Sequence, residues 1–302
     1  MRAIDYVLPV ASAQVKSAIL LAGLNASGTT KVTEPAPCRD HTENMLRHFG
    51  VDVAVSTDDQ GRGVIEIEGG QHLLGCAVDV PADPSSAAFP VVAALLCEGS
   101  DIDIMGVCYN KTRNGIYITL LEMGADIEIL RRYDQGGESV VDMRVRGGKP
   151  LKGVDVPANR VPSMIDEFPI LAVAASCAEG TTTMSGLEEL RVKESDRLAI
   201  MAKGLAAAGV KLEEGEDNLI IHGNGQPPMG GVQVETMHDH RIAMSFLILG
   251  FVSEKPMSID DARPIKTSFP NFVSLMRGIG ARIDADSGQP GDAATLTLEE
   301  DL

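Results

Sequence analysis

Leu190-Arg191-Val192-Lys193-Glu194-Ser195-Asp196-Arg197-Leu198 sets a run of charged side chains directly ahead of an apolar pattern at Leu198, Met201, Leu205 and Ala208. Spacing of three and four residues is one face of an amphipathic helix, and Ser195 or Asp196 suits its N-cap. Lys193, Glu194 and Arg197 then gather at the helix start, where unpaired amides and the macrodipole attract anions. Two cations at such an end make a phosphate or carboxylate site, with Glu194 as an acid/base group beside the anion. A solvated, salt-bridged helix start fits the same residues, since such pairs are common and cheap. Spacing alone leaves both readings open.

The other charged candidates share this placement at helix starts. Ser12 and Gln14 open an apolar run, Arg39-Asp40-His41 precedes a helix ending at Gly50, and Asp166 follows Pro162-Ser163 in a first turn. Arg241 follows Asp239, and Lys266 precedes Thr267-Ser268-Phe269-Pro270. If these ends face one cleft, Lys193, Arg197, Arg241, Lys266, Arg39 and Lys16 make it electropositive, as transition-state stabilisation of anions requires. Each residue also has a plainer reading. Ser163-x-x-Asp166 fits a capping box, Arg241 and Lys266 fit surface cations, and Lys16 reads as structural. His238-x-His240 has no third ligand at zinc spacing, so capping or packing is the favoured reading. His222-Gly223-Asn224-Gly225 reads as a hairpin loop.

The elements that must position these groups come from repetition. A helix, a glycine and an alternating strand recur at Gly50, Gly124, Gly209 and Gly280, with a period of about 75 residues. Each copy has an earlier, more apolar helix: Ser12–Leu24, Ser85–Leu96, Ser163–Cys177 and Asp239–Phe251. Three of these end near Gly28, Gly99 or Gly180, and Lys255-Pro256 takes that place in the fourth. The unit reads as β-α-β-α-β-β, an α/β (α+β) class.

Composition narrows the partners. The 302 residues are 44% apolar, long enough for two domains. A net charge of −17 argues against nucleic acid and anionic membranes, which demand basic surface. Five scattered cysteines without a CxxC give neither a disulfide framework nor a zinc knuckle, and fit a reduced cytoplasm. Met1–Asp5 does not read as a signal peptide, and the apolar runs are too short or too interrupted to span a bilayer.

Arg191-Val192-Lys193-Glu194-Ser195-Asp196-Arg197 resembles the signature of the 5-enolpyruvylshikimate-3-phosphate (EPSP) synthase family. Leu8-Pro9-Val10-Ala11-Ser12-Ala13-Gln14-Val15-Lys16-Ser17, Asp83-Pro84-Ser85-Ser86-Ala87 and Asp239-His240-Arg241-Ile242-Ala243-Met244 resemble further stretches of that family in the same order. The resemblance runs from Met1 to about Asp284. It implies an enolpyruvyl transferase fold of six such units in two pseudo-threefold domains, with the active site between them. Four units account for this chain. Residues 1–80 are then the remaining unit of one domain and 81–302 the three-unit second domain, with Val80–Pro84 as hinge.

The resemblance further implies transfer of the carboxyvinyl group of phosphoenolpyruvate to the 5-hydroxyl of shikimate 3-phosphate, by addition and then elimination of phosphate. Carried over position by position, Asp166 is the hydroxyl base and Glu194 the methylene proton shuttle. Ser12, Ala13, Gln14, Arg39, Asp166 and Lys193 hold shikimate 3-phosphate; Gln14, Arg197, Arg241 and Lys266 hold phosphoenolpyruvate. No metal or organic cofactor is implied. The family's N-terminal lysine–serine pair, its Gly-rich loop and a further arginine have no counterpart here. A catalytically incomplete fragment or split-enzyme piece is therefore an alternative, as is the sister UDP-N-acetylglucosamine carboxyvinyltransferase. An uncovered apolar face on residues 1–80 is expected to seek an N-terminal fragment or a second copy.

Overall fold

The computed structural model describes residues 1–285 and 294–297. The chain divides into two compact units, one of residues 1–81, 108–113 and 132–141, the other of the remaining residues. The first unit thus includes two segments that lie well beyond the Val80–Pro84 stretch.

One topology is written four times. The first copy runs β1 (Asp5–Val7), α1 (Ala13–Gly23), β2 (Thr29–Thr33), α2 (His41–His48), β3 (Val53–Thr57) and β4 (Gly63–Glu68). Its sheet order is β1-β2-β4-β3, with β1 parallel to β2 and the other pairs antiparallel. The second copy has α3 (Pro84–Leu96), β5 (Asp101–Cys108), α4 (Gly115–Glu122), β6 (Asp126–Gln135) and β7 (Glu138–Arg146), in sheet order β5-β7-β6. Its first strand is reduced to a parallel bridge from Ala82 to Val107. In the third, β8 (Asp155–Val156), α5 (Phe168–Cys177), β9 (Glu179–Ser185), α6 (Arg197–Ala207), β10 (Leu212–Glu214) and β11 (Asn218–Asn224) pair as β10-β11-β9-β8. The fourth has β12 (Gln233–Val234), α7 (His240–Leu249), β13 (Ser258–Ile259), α8 (Arg263–Ser268), α9 (Phe272–Gly278), β14 (Arg282–Ala285) and β15 (Ala294–Thr297), paired as β12-β13-β15-β14.

The repeat glycines Gly50, Gly124, Gly209 and Gly280 all have φ between 82° and 103°, the left-handed conformation that closes a helix and for which Gly has no steric penalty. The N-terminal ends are set by caps. Asp83, Asp196 and Asp239 accept amide protons from the first turns of α3, α6 and α7, so the chain enters those helices at fixed angles.

In the second unit, α3, α5 and α7 pack pairwise on one another. Phe168–Ser176 of α5 and Ile242–Leu249 of α7 are buried throughout, because helices apolar on every side need cover on every side. In the first unit α1 carries Leu20 into a core with Leu8, Leu46, Val32 and Ile65. Its other face is open. Val15 is exposed, and with Ala18, Ile19 and Ala22 it lines a hollow of about 510 Å³ beside Met1 and Ile4.

Two local expectations fail. The helix expected over Ser163–Cys177 begins only at Phe168, preceded by 3-10 turns at Ala158–Ser163 and Ile165–Glu167. Pro169 has no amide proton and is tolerated in a first turn, so the α-helix starts beside it. His222-Gly223-Asn224 is not a loop but the end of β11, paired with Thr181, Gly180 and Glu179. Gly223 lies so close to the carbonyls of Ala175 and Ala178 that a side chain would not fit, which is packing, not turn chemistry.

Gly204, inside α6, provides a test of the α6–α7 contact. Alanine in an exposed helix gains about 1 kcal/mol over glycine. A Cβ here would meet Phe246 Cζ at 2.2 Å, and overpacking costs roughly 1–3 kcal/mol. Gly204→Ala is expected to lower the urea midpoint at unchanged m. A raised midpoint would refute this packing.

Candidate active site

The site residues of the second unit meet around one guanidinium. Arg197 is the first residue of α6, and its side chain is 1% exposed. Its Nε donates to Asp239 Oδ2 at 2.8 Å, its Nη1 to Asp166 Oδ1 at 3.3 Å, and its Nη2 to Glu194. Arg241 reaches the same place from α7. Its Nη1 donates to the Asp166 carbonyl at 3.2 Å and lies 3.5 Å from Glu167 Oε1. Lys193 Nζ is 3.8 Å from Asp166 Oδ1 and also pairs with Glu189. Asp166, Lys193, Glu194, Arg197 and Arg241 are therefore brought together from 75 residues of separation between Asp166 and Arg241.

Local folding explains how. Asp196 caps α6 through the Ala199 amide and pairs with Arg191, which is itself tied to Glu214 and the Gly215 carbonyl. That anchors the loop carrying Lys193 and Glu194. Asp166 sits in the 3-10 turn before α5; the Ser163 hydroxyl donates to Arg160 O and α5 takes Glu167 as its N-cap, so the capping-box reading fails. Leu198, Met201, Leu205 and Ala208 are buried as the spacing required.

Asp239 is the member that spacing missed. It is 0% exposed, caps α7 through the Arg241 and Ile242 amides, and accepts from Ser195 Oγ at 3.0 Å. Its only sequence signal is an acid at the head of the Asp239-His240-Arg241 stretch. Burial pushes its carboxyl pKa up, but the charge and hydrogen bond of Arg197, with the Arg241 amide and the Ser195 hydroxyl, hold it below the usual value. Burial and the Arg241 charge lower the pKa of His240. His238 hydrogen-bonds Asp261 at 3.0 Å.

Around Arg197 the expected electropositive balance is reversed. Lys193, Arg197 and Arg241 are outnumbered by the carboxylates of Asp166, Glu167, Glu189, Glu194 and Asp239 that pair with them. Lys16 does not join the candidates. It is buried between Glu34 and Glu43, 2.6 Å from each, a structural ion pair. Lys266 is exposed on α8.

In the first unit, Ser12 caps α1 by accepting from the Val15 amide. Ala13 is the first helical residue, Gln14 lines the hollow beside α1, and Arg39 is half-buried just ahead of α2. Glu194, at 55% exposure, is the most solvent-accessible acid on Arg197. A half-exposed carboxylate on a buried guanidinium can exchange protons with a ligand while the arginine stays fixed.

The repeat and its helix triad are those of an enolpyruvyl transferase. The solved structure of the enolpyruvyl transferase NikO from Streptomyces tendae, 19% identical, superposes with a TM-score of 0.68 over 92% of this chain and 59% of that one. A solved EPSP synthase from Acinetobacter baumannii, 46% identical, reaches 0.86 over 92% of this chain and 63% of that one. Residues 1–276 match the family model of EPSP synthase (3-phosphoshikimate 1-carboxyvinyltransferase), and the chain belongs to that family. Proteins named 3-phosphoshikimate 1-carboxyvinyltransferase from Paramagnetospirillum magneticum and Brucella canis are 61% and 59% identical over 94% of this chain. The chain spans 64% and 63% of their lengths.

A carboxylate whose folded-state pKa lies below its unfolded value of about 3.9 stabilises above that pH, and the stabilisation is lost as pH falls through the folded-state pKa. Breaking a buried pair from one side leaves a stranded charge and costs roughly 3–5 kcal/mol. Asp239→Asn is expected to destabilise by about 3 kcal/mol at pH 7, the low end because Arg197 keeps other carboxylates. The gap from the parent should close below about pH 4. Urea unfolding at pH 7, 5 and 3.5 measures it. A gap independent of pH would show that the ion pair is not what Asp239 contributes.

Proposed function

We propose that this chain supplies the larger part of a 3-phosphoshikimate 1-carboxyvinyltransferase, corresponding to the last four of six repeats: 1–80 from one domain and 81–302 as the other. The reaction joins the 5-hydroxyl oxygen of shikimate 3-phosphate to C2 of phosphoenolpyruvate, then expels phosphate to leave the enolpyruvyl ether. The observation that carries this reading is the convergence of Asp166, Glu194 and Arg241 on Arg197, within a chain of this family.

Asp166 accepts the hydroxyl proton as the oxygen attacks. Glu194 gives a proton to the methylene carbon on addition and takes one back on elimination, a role that suits its exposure. Lys193 and Asp166 of the second unit orient shikimate 3-phosphate. Arg197, Arg241 and Lys266 take the phosphate and carboxylate of phosphoenolpyruvate. Because Arg197 is fixed from behind by Asp239, an arriving anion replaces Asp166 or Glu194 as its partner without moving the guanidinium. That exchange frees the acid for proton transfer, and preorganised charge of this kind is worth more than mobile charge. The reading needs no metal or organic cofactor, and the free thiols suit a reduced cytoplasm. Among the described residues no helix is long and apolar enough to cross a membrane.

The acid-rich balance around Arg197 favours a second statement: the 302-residue chain by itself is catalytically incomplete. Two polyanionic substrates need further cations, and hydrogen bonds to charged groups contribute roughly 1.5–3 kcal/mol each. The open apolar side of α1 is the natural seat for the two remaining repeats of a full-length relative, or for a second copy of the chain. Phosphate release from phosphoenolpyruvate and shikimate 3-phosphate is expected to be near background for the chain alone. It should return when the N-terminal third of a relative is added in trans. In that complemented system Asp166→Asn and Glu194→Gln should each lower kcat roughly 100- to 10,000-fold. Full turnover by the chain alone would overturn incompleteness. Unaltered kcat in both variants would overturn the assigned roles.

A further inference from the structure

A second cluster of chemically capable groups lies wholly in the first unit. His41 opens α2, Cys108 ends β5 and Glu138 begins β7. The imidazole Nδ1, the Cys108 Sγ and a Glu138 carboxylate oxygen fall within 4.8 Å of one another. His41 Nδ1 is 2.7 Å from Glu138 Oε1, and Cys108 Sγ is 4.0 Å from Glu138 Oε2. Cys108 and Glu138 are buried, whereas the His41 side chain is about a third exposed, which leaves a way in from solvent.

From these atoms we infer that His41, Cys108 and Glu138 form a binding site for a thiophilic divalent cation of the zinc type, separate from the Arg197 cluster. Imidazole nitrogen, thiolate sulfur and carboxylate oxygen are each donors that Zn²⁺ accepts, and three protein ligands leave its fourth position to water. Tetrahedral bonds of about 2.0–2.3 Å put donor atoms roughly 3.4–3.7 Å apart. The His41–Glu138 contact at 2.7 Å has to open by about 1 Å, and the Cys108 sulfur, which lies within 4.8 Å of the other two donors, has to close by up to about 1.4 Å. The surroundings support the carboxylate in that role. Asn110, itself buried, donates its side-chain amide to Glu138 Oε2 at 2.8 Å and to Asp40 Oδ1 at 2.6 Å. This fixes the carboxylate plane and brings a second negative charge near the cation, the kind of supporting contact that metal ligands keep.

Binding requires the Cys108 thiolate and a neutral His41 whose proton sits on Nε2. The thiol proton goes to solvent, so each bound ion releases at least one proton and affinity rises with pH. Occupancy also holds the first residue of α2, two positions after Arg39. The site therefore couples cation level to the entry of that helix.

Co²⁺ is the probe, since a cobalt–thiolate bond gives a charge-transfer band in the near ultraviolet. Titration of the full 302-residue chain under reducing conditions is expected to give this band with one ion per chain, and Zn²⁺ should abolish it by competition. Cys108→Ser should remove the band and weaken Zn²⁺ binding on the order of 100-fold. His41→Gln, at a partly exposed helix start and with the thiolate kept, should weaken Co²⁺ binding at least about tenfold with unchanged circular dichroism. A band that persists in Cys108→Ser would place the metal on another thiol and overturn the proposal. So would the absence of any band in the parent chain, or equal affinity in His41→Gln.

Discussion

The second unit depends on one buried ion pair. Arg197 and Asp239 are both withdrawn from water, and stripping two charges of their hydration costs several kcal/mol each unless every donor and acceptor finds a partner. Here they do. Asp239 serves the α7 amides, the Ser195 hydroxyl and the Arg197 Nε; Arg197 spends its remaining nitrogens on Asp166 and Glu194. The start of α6, the start of α7 and the turn before α5 are therefore fixed relative to one another by a single guanidinium. Hydrophobic packing of α5 and α7 sets their distance, but it is non-directional. The ion pair decides which turn of each helix faces the site.

That arrangement also accounts for the acidity found where a positive cleft was expected. Helix starts recruit carboxylates as caps and as partners for the cations they gather. Arg197 and Arg241 came with Asp239, Glu167 and Glu194 attached. An arginine held by carboxylates is rigid and correctly aimed, but it attracts an anion only by partner exchange. Glu194 is half-exposed and Asp166 partly so, whereas Asp239 is not. The layering separates the acid that holds the arginine from the acids that an anion can displace.

The repeat divides labour in the same way. In the second unit three apolar helices pack pairwise, and α5 and α7 find cover on their remaining sides from α6, α8, β11 and β13. In the first unit a single helix of the same kind has one covered side and one bare one. Lys16 shows how little freedom the covered side has: a lysine facing inward is retained only because Glu34 and Glu43 meet it at 2.6 Å. Burial pulls the ammonium pKa down, and the hydrogen bonds and charges of the two glutamates more than reverse that.

Much of this was legible in the residues. The glycine-ended helices and the apolar helices before them specified a fourfold β-α-β-α-β-β repeat, because helix termination and strand alternation are local chemistry. The Leu198–Ala208 stripe, the Asp196 cap and the structural reading of Lys16 were equally local. What spacing could not supply was every contact that needs two distant segments. Asp239 looks like any helix cap until Arg197 is laid against it. Ser163 and Asp166 spell a capping box, yet the 3-10 turns ahead of Pro169 turn Asp166 toward Arg197 and Lys193 instead. His222-Gly223-Asn224 spells a turn, but the packing of α5 on β11 makes it strand. His41, Cys108 and Glu138 carry no shared motif, because a donor cluster built from a helix start and two strand ends has no period. The sequence by itself determined the repeating elements and the residue types at their ends, since these follow from backbone sterics and hydrophobic pattern. Only the tertiary structure decided which ends meet, since that depends on how buried charges find partners once helices have packed.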